Sequence, residues 1–465
     1  MPVTHSVETS ASPAATPDGL PMPRRLWAIA TLMVSLAIAS LDVTMANVAL
    51  PAIAADLGVA PGLVVWVMIA YSVTILVTLL PLSALAERVG FRRMFVVGIT
   101  LFMFWAVAVA FSSSFVMLLT ARVIQAIGTS MLMCLFGGLV RNIYPSHQLG
   151  FGVSLNAMMV SVMAVLGPTI GAFVIEWSSW HWMFLMYVPL CLATYFGVRF
   201  LPDVPRTVRP FDWLACVLSA LAFGLFVIGL DMLVSSALWA VILILVAGLS
   251  AWLLYRHSRE QEAPVVPLDL LRIKPVAFAV GASATLFAAH MAAFVALPFY
   301  LINIMQYSYA HVGVLMGGWA IGSAIMAPVA GYLSDRFQVA VLCIVGAGLA
   351  AVGMFWIVLL PSGTSLFWGW VPMLVGGLGF GFFQSPNNRA LLSGAPHRRS
   401  GAAGGLQATT RVFGQSVGTA LAALSFHFGG PVGATVALVV GVLLALGAVG
   451  INVARYFSRA PDLSL

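Results

Sequence analysis

The chain has 465 residues, 62% of them hydrophobic and only 8% charged. Soluble domains carry about 25% charged residues, so this supply cannot cover a water-exposed surface and a soluble protein is excluded. The net charge of +7 comes from 21 Lys+Arg against 14 Asp+Glu. Those basic residues stand singly or in pairs between apolar runs, which is a membrane pattern and not a nucleic-acid surface. An all-α polytopic membrane protein is expected.

Residues 1–23 are rich in Pro, Ser, Thr and Ala and lead into Arg24-Arg25. Residues 1–25 are expected to be a disordered cytoplasmic tail. No cleavable leader is expected, because the following apolar run is too long and carries a polar motif where a small-residue cleavage site would stand. Apolar runs follow at 26–49, 63–85, 94–112, 116–140, 152–175, 182–202, 212–231 and 237–256. Six more lie at 275–303, 311–333, 339–360, 365–392, 402–426 and 430–456. Each approaches or exceeds the roughly 20 residues that cross a bilayer, so fourteen transmembrane helices are expected. With the N-terminus inside, 19 of the 21 basic residues fall on the inner side, and the other two, Arg122 and Arg411, lie within runs. The positive-inside rule is thus obeyed, and both termini are expected in the cytoplasm.

The four cysteines, Cys134, Cys191, Cys216 and Cys343, stand apart inside apolar stretches and read as small core residues. No metal site and no cofactor are expected. There is an internal repeat: Ser83-x-Leu85-x-Glu87-Arg88 after the second run matches Gly331-x-Leu333-x-Asp335-Arg336 after the tenth. The expected organisation is a six-helix bundle over 26–202, a linker with two added helices over 203–274, a second six-helix bundle over 275–456, and a tail at 457–465. Duplicated halves with a site between them are a transporter architecture.

At these motifs the sequence resembles the major facilitator superfamily, in its fourteen-span drug:proton antiporter branch. The segment Leu41 to Pro51 resembles that branch's first-span signature, and Glu87-Arg88-x-Gly90-x-Arg92-Arg93 resembles the loop between spans 2 and 3. Leu118 to Gly128, with Arg122, Gln125 and Gly128, resembles the fourth-span motif. Leu166-Gly167-Pro168-Thr169-Ile170-Gly171 resembles the antiporter motif of span 5, and Trp180 to Pro189 resembles the opening of span 6. Ser83 and Glu87 stand where the loop motif has Gly and Asp, so the close helix approach that Gly permits is expected to be lost. Ala172 replaces a second Gly after Gly171, a change the packing is expected to tolerate. The resemblance implies a proton-coupled exporter of amphipathic, cationic small molecules, drugs among them, in the bacterial cytoplasmic membrane.

A charge within hydrocarbon costs about 2.5–3.5 kcal/mol and marks a functional site by default. Asp42 and Arg122 each lie about seven residues from the outer ends of their runs, about 10 Å deep at 1.5 Å per residue. They can meet, with Asp42 as the proton-coupling acid and Arg122 tuning its proton affinity. A purely structural ion pair is the alternative. Asn47, Gln125, Thr129, Gln384, Asn387, Gln407, Arg411 and Gln415 are expected to line a polar cavity between the halves, with Asn388 beside them. Interhelical hydrogen bonding is the plainer reading of those stripes. Glu87, Arg88, Gly90, Arg92, Asp335 and Arg336 are expected to gate, with Gly167, Pro168 and Gly171 as a hinge. His290 reads as a neutral core histidine ahead of a second proton carrier, and Asp231 as a solvated edge acid. Met131, Met133, Met158, Met159 and Met163 suit either a pliable pocket or ordinary packing.

Other functions fit less well. A haem-binding subunit needs paired mid-span histidines, and only His290 is central. No GxxxxGK[ST] loop is present for ATP-driven transport. A dedicated exporter of one metabolite or siderophore-like compound stays open, as does an importer, since fold does not fix direction. A monomer is expected, with substrate, protons and lipid as its partners and no nucleic acid.

Overall fold

The computed structural model describes residues 19–59, 64, 66–204, 206, 211–233, 236–259, 261, 264, 266–307 and 309–458. The expected disordered tail lies, up to residue 18, outside them. The first six spans are α1 (Arg24–Asp56), α2 (Trp66–Val89), α3 (Phe91–Ala110), α4 (Phe115–Ile143), α5 (Leu149–Trp177) and α6, broken at Met186 into Trp180–Leu185 and Tyr187–Gly197. Two more, α7 (Trp213–Met232) and α8 (Ala237–Ser258), precede the last six. Those are α9 (Lys274–Phe299), α10 (Tyr309–Ser334), α11 (Val339–Leu359), α12 (Leu366–Gly394), α13 (Ser400–Gly429) and α14 (Gly433–Phe457). No strand occurs among the described residues.

Hydrocarbon offers no partner to a backbone amide, so each crossing segment satisfies its own groups as a helix. Twelve segments of the described residues are long and apolar enough to cross a membrane. The last of them, Ser400–Phe457, has 58 residues; at 1.5 Å per residue it would far exceed a core of about 30 Å. It doubles back at Gly430 (φ +51) and is the pair α13 and α14. With α5, a 29-residue helix, the number of long helical crossings agrees with fourteen apolar runs.

Local chemistry sets the ends. Ser114 accepts the amide of Met117 at 3.3 Å and starts α4, and Asp212 accepts that of Ala215 at 2.9 Å and starts α7. Only Gly90 separates α2 from α3, at φ +96, a backbone region that side chains strain. Pro298 leaves a gap in the ladder of α9, and two residues later the helix widens into a π-helical turn, Tyr300–Ile304.

The pairings within the two halves are the same. In the first, α1 packs on α5 and α6, α2 on α4, and α3 on α4 and α6; in the second, α9 packs on α13 and α14, α10 on α12, and α11 on α12 and α14. Across the halves, α2 and α4 meet α13 while α10 and α12 meet α5, so the crossing contacts are also duplicated. Helix α7 lies against α2 and α13, with Phe223 and Phe226 against Phe413 at 5.9 and 5.6 Å. Helix α8 rests on α7 and is only 22% buried. Its exposed Trp239, Leu245 and Trp252 form a lipid-facing surface.

Gly90→Ala places a Cβ 3.0 Å from Arg206 Nε on a left-handed backbone. Such strain costs about 1–2 kcal/mol, and a thermal unfolding midpoint below wild type in detergent is the expected reading. An unchanged midpoint contradicts the assignment.

Candidate functional site

Two features occupy the interior. The first is an ion pair between α1 and α4. Arg122 Nη1 donates to Asp42 Oδ1 at 2.8 Å and Oδ2 at 3.0 Å, and both side chains are fully buried. One turn along α4, Gln125 accepts from Arg122 at 2.8 Å and donates to Asp42 at 3.4 Å. The guanidinium lies over Tyr71, 4.0 Å from the ring centroid, with Phe184 at 5.4 Å on another side. Tyr71 is held by Thr129 at 2.8 Å. The remaining Arg122 nitrogens, Nε and Nη2, have no hydrogen-bond partner, so ring faces take the place of water around them.

The second feature is a cavity lined by α1, α4 and α5 of the first half and by α9, α12 and α13 of the second, which are equivalent in the repeat. Leu36, Met133, Phe136 and Phe287 supply apolar walls; Asn156, Gln384, Asn388 and Gln407 supply amides; Arg411 supplies the one full charge. No carboxylate is on the lining, and among the described residues none forms an ion pair with Arg411. Two like charges 4 Å apart repel by about 4 kcal/mol at an effective dielectric constant of 20. A cationic cargo, which the resemblance led us to expect, would therefore meet opposition and no counter-charge here.

Of the residues expected to line the cavity, Gln384, Gln407 and Arg411 do so. Gln125 and Thr129 do not: they are fully buried and spent on Arg122 and Tyr71. Asn387 is also off the lining, donating to Ala279 O at 2.9 Å, and Gln415 lies one turn beyond Arg411 on α13. The side chain of Asn47, like those of Pro168, Ala172 and Asp231, lies outside the described residues. Asn156 was missed. It is a lone amide in the apolar run 152–175, the same signal that singled out Asp42.

At the end of the bundle that carries Glu87 and Asp335, the halves are in contact. Glu87 Oε1 accepts the Ala402 amide at 2.8 Å, in the first turn of α13, where a carboxylate suits the helix dipole. Its Oε2 meets Arg399 at 3.2 Å, and Arg399 also grips Asp269 at 3.0 and 3.1 Å. In the other half, Asp335 pairs with Arg389 at 3.1 Å beside Gly150, in the first turn of α5. Burial pushes the Asp335 carboxyl above its ordinary range, with Arg389 pulling it back in part. Arg88 lies over Phe211 at 5.1 Å and Arg336 over Tyr332 at 4.4 Å, while Arg92 is half-buried in the first turn of α3.

The close approach expected to be lost at Ser83 is present. A Cβ on Gly405 of α13 would overlap Ser83 Cβ, so the glycine stands on the facing helix. In the repeat the roles are exchanged: Gly331 keeps the glycine and faces Ser154 of α5. Gly167 lets α5 press on Thr44 of α1, and a Cβ on Gly171 would meet Met183 and Met45 at 3.2 and 3.6 Å. His290 is stacked on Phe380 at 4.4 Å with Trp319 at 5.3 Å, and its Nδ1 has no partner, an aromatic core position.

A duplicated bundle of membrane-spanning helices, with a buried ion pair in one half and a polar cavity between the two, is the architecture of a secondary transporter. The family follows from comparison: the model of the Major Facilitator Superfamily matches residues 32–419, and the chain belongs to that family. It is 38% identical to the uncharacterized transporter YebQ of Escherichia coli K12 over 96% of this chain and 100% of that one. It is 27% identical to the riboflavin transporter RibZ of Clostridioides difficile over 85% and 87% of the two chains. To the putative multidrug resistance protein MdtD of Klebsiella pneumoniae strain 342 it is 29% identical over 91% and 92%. The human organic anion transporter MFSD10 (TETRAN) superposes with a TM-score of 0.65 at 14% identity, covering 93% of this chain and 100% of that one, a likeness of fold alone. The chain is a multi-pass membrane transporter, not an enzyme.

Two outcomes are expected. Arg122→Gln strands Asp42 in the interior at a cost of about 3–5 kcal/mol, and Asp42→Asn with Arg122→Gln recovers most of it in a denaturation cycle; additive losses contradict the pairing. Gly405→Ser opens the contact with Ser83, read as faster labelling of a cysteine placed beside Ala402. Adding Ser83→Gly restores slow labelling, and no restoration contradicts the exchanged geometry.

Proposed function

We propose that this transporter is a proton-coupled exporter of amphipathic small molecules, drugs or toxic compounds among them, working by alternating access in a bacterial cytoplasmic membrane. The observation that carries the reading is the Asp42–Arg122 pair, enclosed within the first half. Its helices, α1 and α4, also line the cavity through Leu36 and Met133. A proton and the Arg122 guanidinium compete for one carboxylate. Protonation of Asp42 removes the tie between α1 and α4 and changes the shape of the wall that a substrate touches; deprotonation restores it. That gives the carboxylate differential occupancy in two states, which is what coupling requires.

The cavity is the substrate site in this reading, and the halves 26–202 and 275–456 rock about it, with α7 and α8 bridging them. One polypeptide supplies every wall, so a monomer suffices. The basic end, where Glu87 and Asp335 hold the halves together, faces the cytoplasm with both termini, by the positive-inside rule. The two contacts hold that end shut and must part for loading from within. Export follows the resemblance of Leu166 to Gly171 to the antiporter motif, and the relatives named for multidrug resistance favour it. The riboflavin transporter relative favours a second reading, a dedicated exporter of one metabolite. A broad or a single-compound substrate range in a transport panel separates the two.

Proteoliposomes report on coupling directly. A transported compound is expected to drive proton movement in the opposite direction with the wild-type protein, and Asp42→Asn is expected to abolish that movement while retaining binding. Proton movement unchanged in Asp42→Asn overturns the role given to Asp42.

A further inference from the structure

We infer that the central cavity is built for an amphipathic monoanion, a carboxylate or sulfonate joined to an apolar body, with Arg411 as its anchor. The inference rests on the reading of this cavity as the substrate site, and it replaces a cationic cargo with an anionic one.

Three observations support it. Arg411 is a full positive charge on the lining of a cavity inside the membrane-spanning bundle, and no described carboxylate neutralises it. A charge held within the membrane-spanning bundle without a counter-charge is costly, and a ligand of opposite sign offsets that cost on binding. The acid nearest in function, Asp42, is unavailable as a cation receptor, because Arg122 engages both of its oxygens and Gln125 reaches one of them. The remaining polar lining is amide: Asn156 on α5, Gln384 and Asn388 on α12, and Gln407 one turn before Arg411 on α13. Each amide carries N–H donors, so Arg411 and its neighbours together present donors to the oxygens of an oxyanion. The same lining carries Phe136, Phe287, Leu36 and Met133, a surface for an aromatic or aliphatic body.

Neither the anion nor its anchor depends on proton coupling. A charged cargo held by Arg411 from α13 and apolar groups from α1 and α4 touches both halves, so its binding draws them together around it. Arg411 is a binding residue in this account, and the Asp42–Arg122 pair is separate machinery.

The test uses the full-length protein in detergent, without a membrane gradient, and equilibrium binding of matched probes. Each set shares one aromatic body and differs only in its terminal group: carboxylate, carboxamide or ammonium, with naphthylacetate, naphthylacetamide and naphthylethylammonium as the first set. The carboxylate member is expected to bind more tightly than the ammonium member by about ten- to a hundredfold, the factor that one charge-assisted hydrogen bond contributes. Arg411→Gln is expected to erase that preference, and a thermal unfolding midpoint in detergent equal to wild type shows the variant to be folded. Arg411→Lys is expected to retain part of it. Tighter binding of the ammonium members, a carboxylate preference that survives Arg411→Gln, or no carboxylate binding by wild type across the sets overturns the inference. A carboxylate preference together with no proton movement in liposomes would uphold it and remove proton coupling instead.

Discussion

An arginine and an aspartate with no access to water are the constraint on which the first half depends. Either charge alone would oppose membrane insertion by about 2.5–3.5 kcal/mol, and the pair avoids that only while α1 and α4 stay in register. Tyr71, Phe184, Gln125 and Thr129 are arranged around it as a lining of rings and hydrogen bonds. Because replacing a buried pair by apolar groups is often neutral or stabilising, stability alone does not account for its presence. The proposed function accounts for it with a pair that opens: in that reading the same carboxylate is held by Arg122 or by a proton, and the choice alters the packing of two helices that face the cavity.

In the proposed function, duplication turns that local choice into a motion of whole halves. Each half closes on the other through the same devices: a carboxylate at the start of a facing helix and a serine–glycine contact beside it. Glu87 with α13 and Asp335 with α5 are the two carboxylates, and Ser83 with Gly405 and Ser154 with Gly331 the two contacts. The glycine sits on the loop-motif helix in one copy and on its partner in the other. What is maintained is therefore the distance between helices, not a residue at a motif position. Asp269, from the segment after α8, shares Arg399 with Glu87, so the inserted helices are tied to the same closure.

The sequence made the number of crossings, the duplication and the identity of the ion pair legible, because hydrocarbon tolerates few departures from apolar composition. Asp42, Arg122 and Arg411 were conspicuous for that reason alone. Helical spacing could say which residues share a face, but not what that face meets. Gln125 and Thr129 share the face of Arg122 and are consumed within the half, whereas Gln407 and Arg411 face the cavity. The serine–glycine exchange was invisible for the same reason, since each contact joins two helices far apart in the chain, Ser83 with Gly405 and Ser154 with Gly331. The charge of the cavity was likewise hidden until Asp42 was seen to be spoken for.

The central claim is that Asp42 alternates between Arg122 and a proton, and infrared difference spectroscopy on the purified protein tests it most directly. Acidification is predicted to raise an absorbance in the protonated-carboxyl region that is missing from the same experiment on Asp42→Asn and present when Glu87 or Asp335 is replaced instead. A spectrum that Asp42→Asn leaves unchanged would mean that Asp42 stays paired throughout, and that the ion pair is structural.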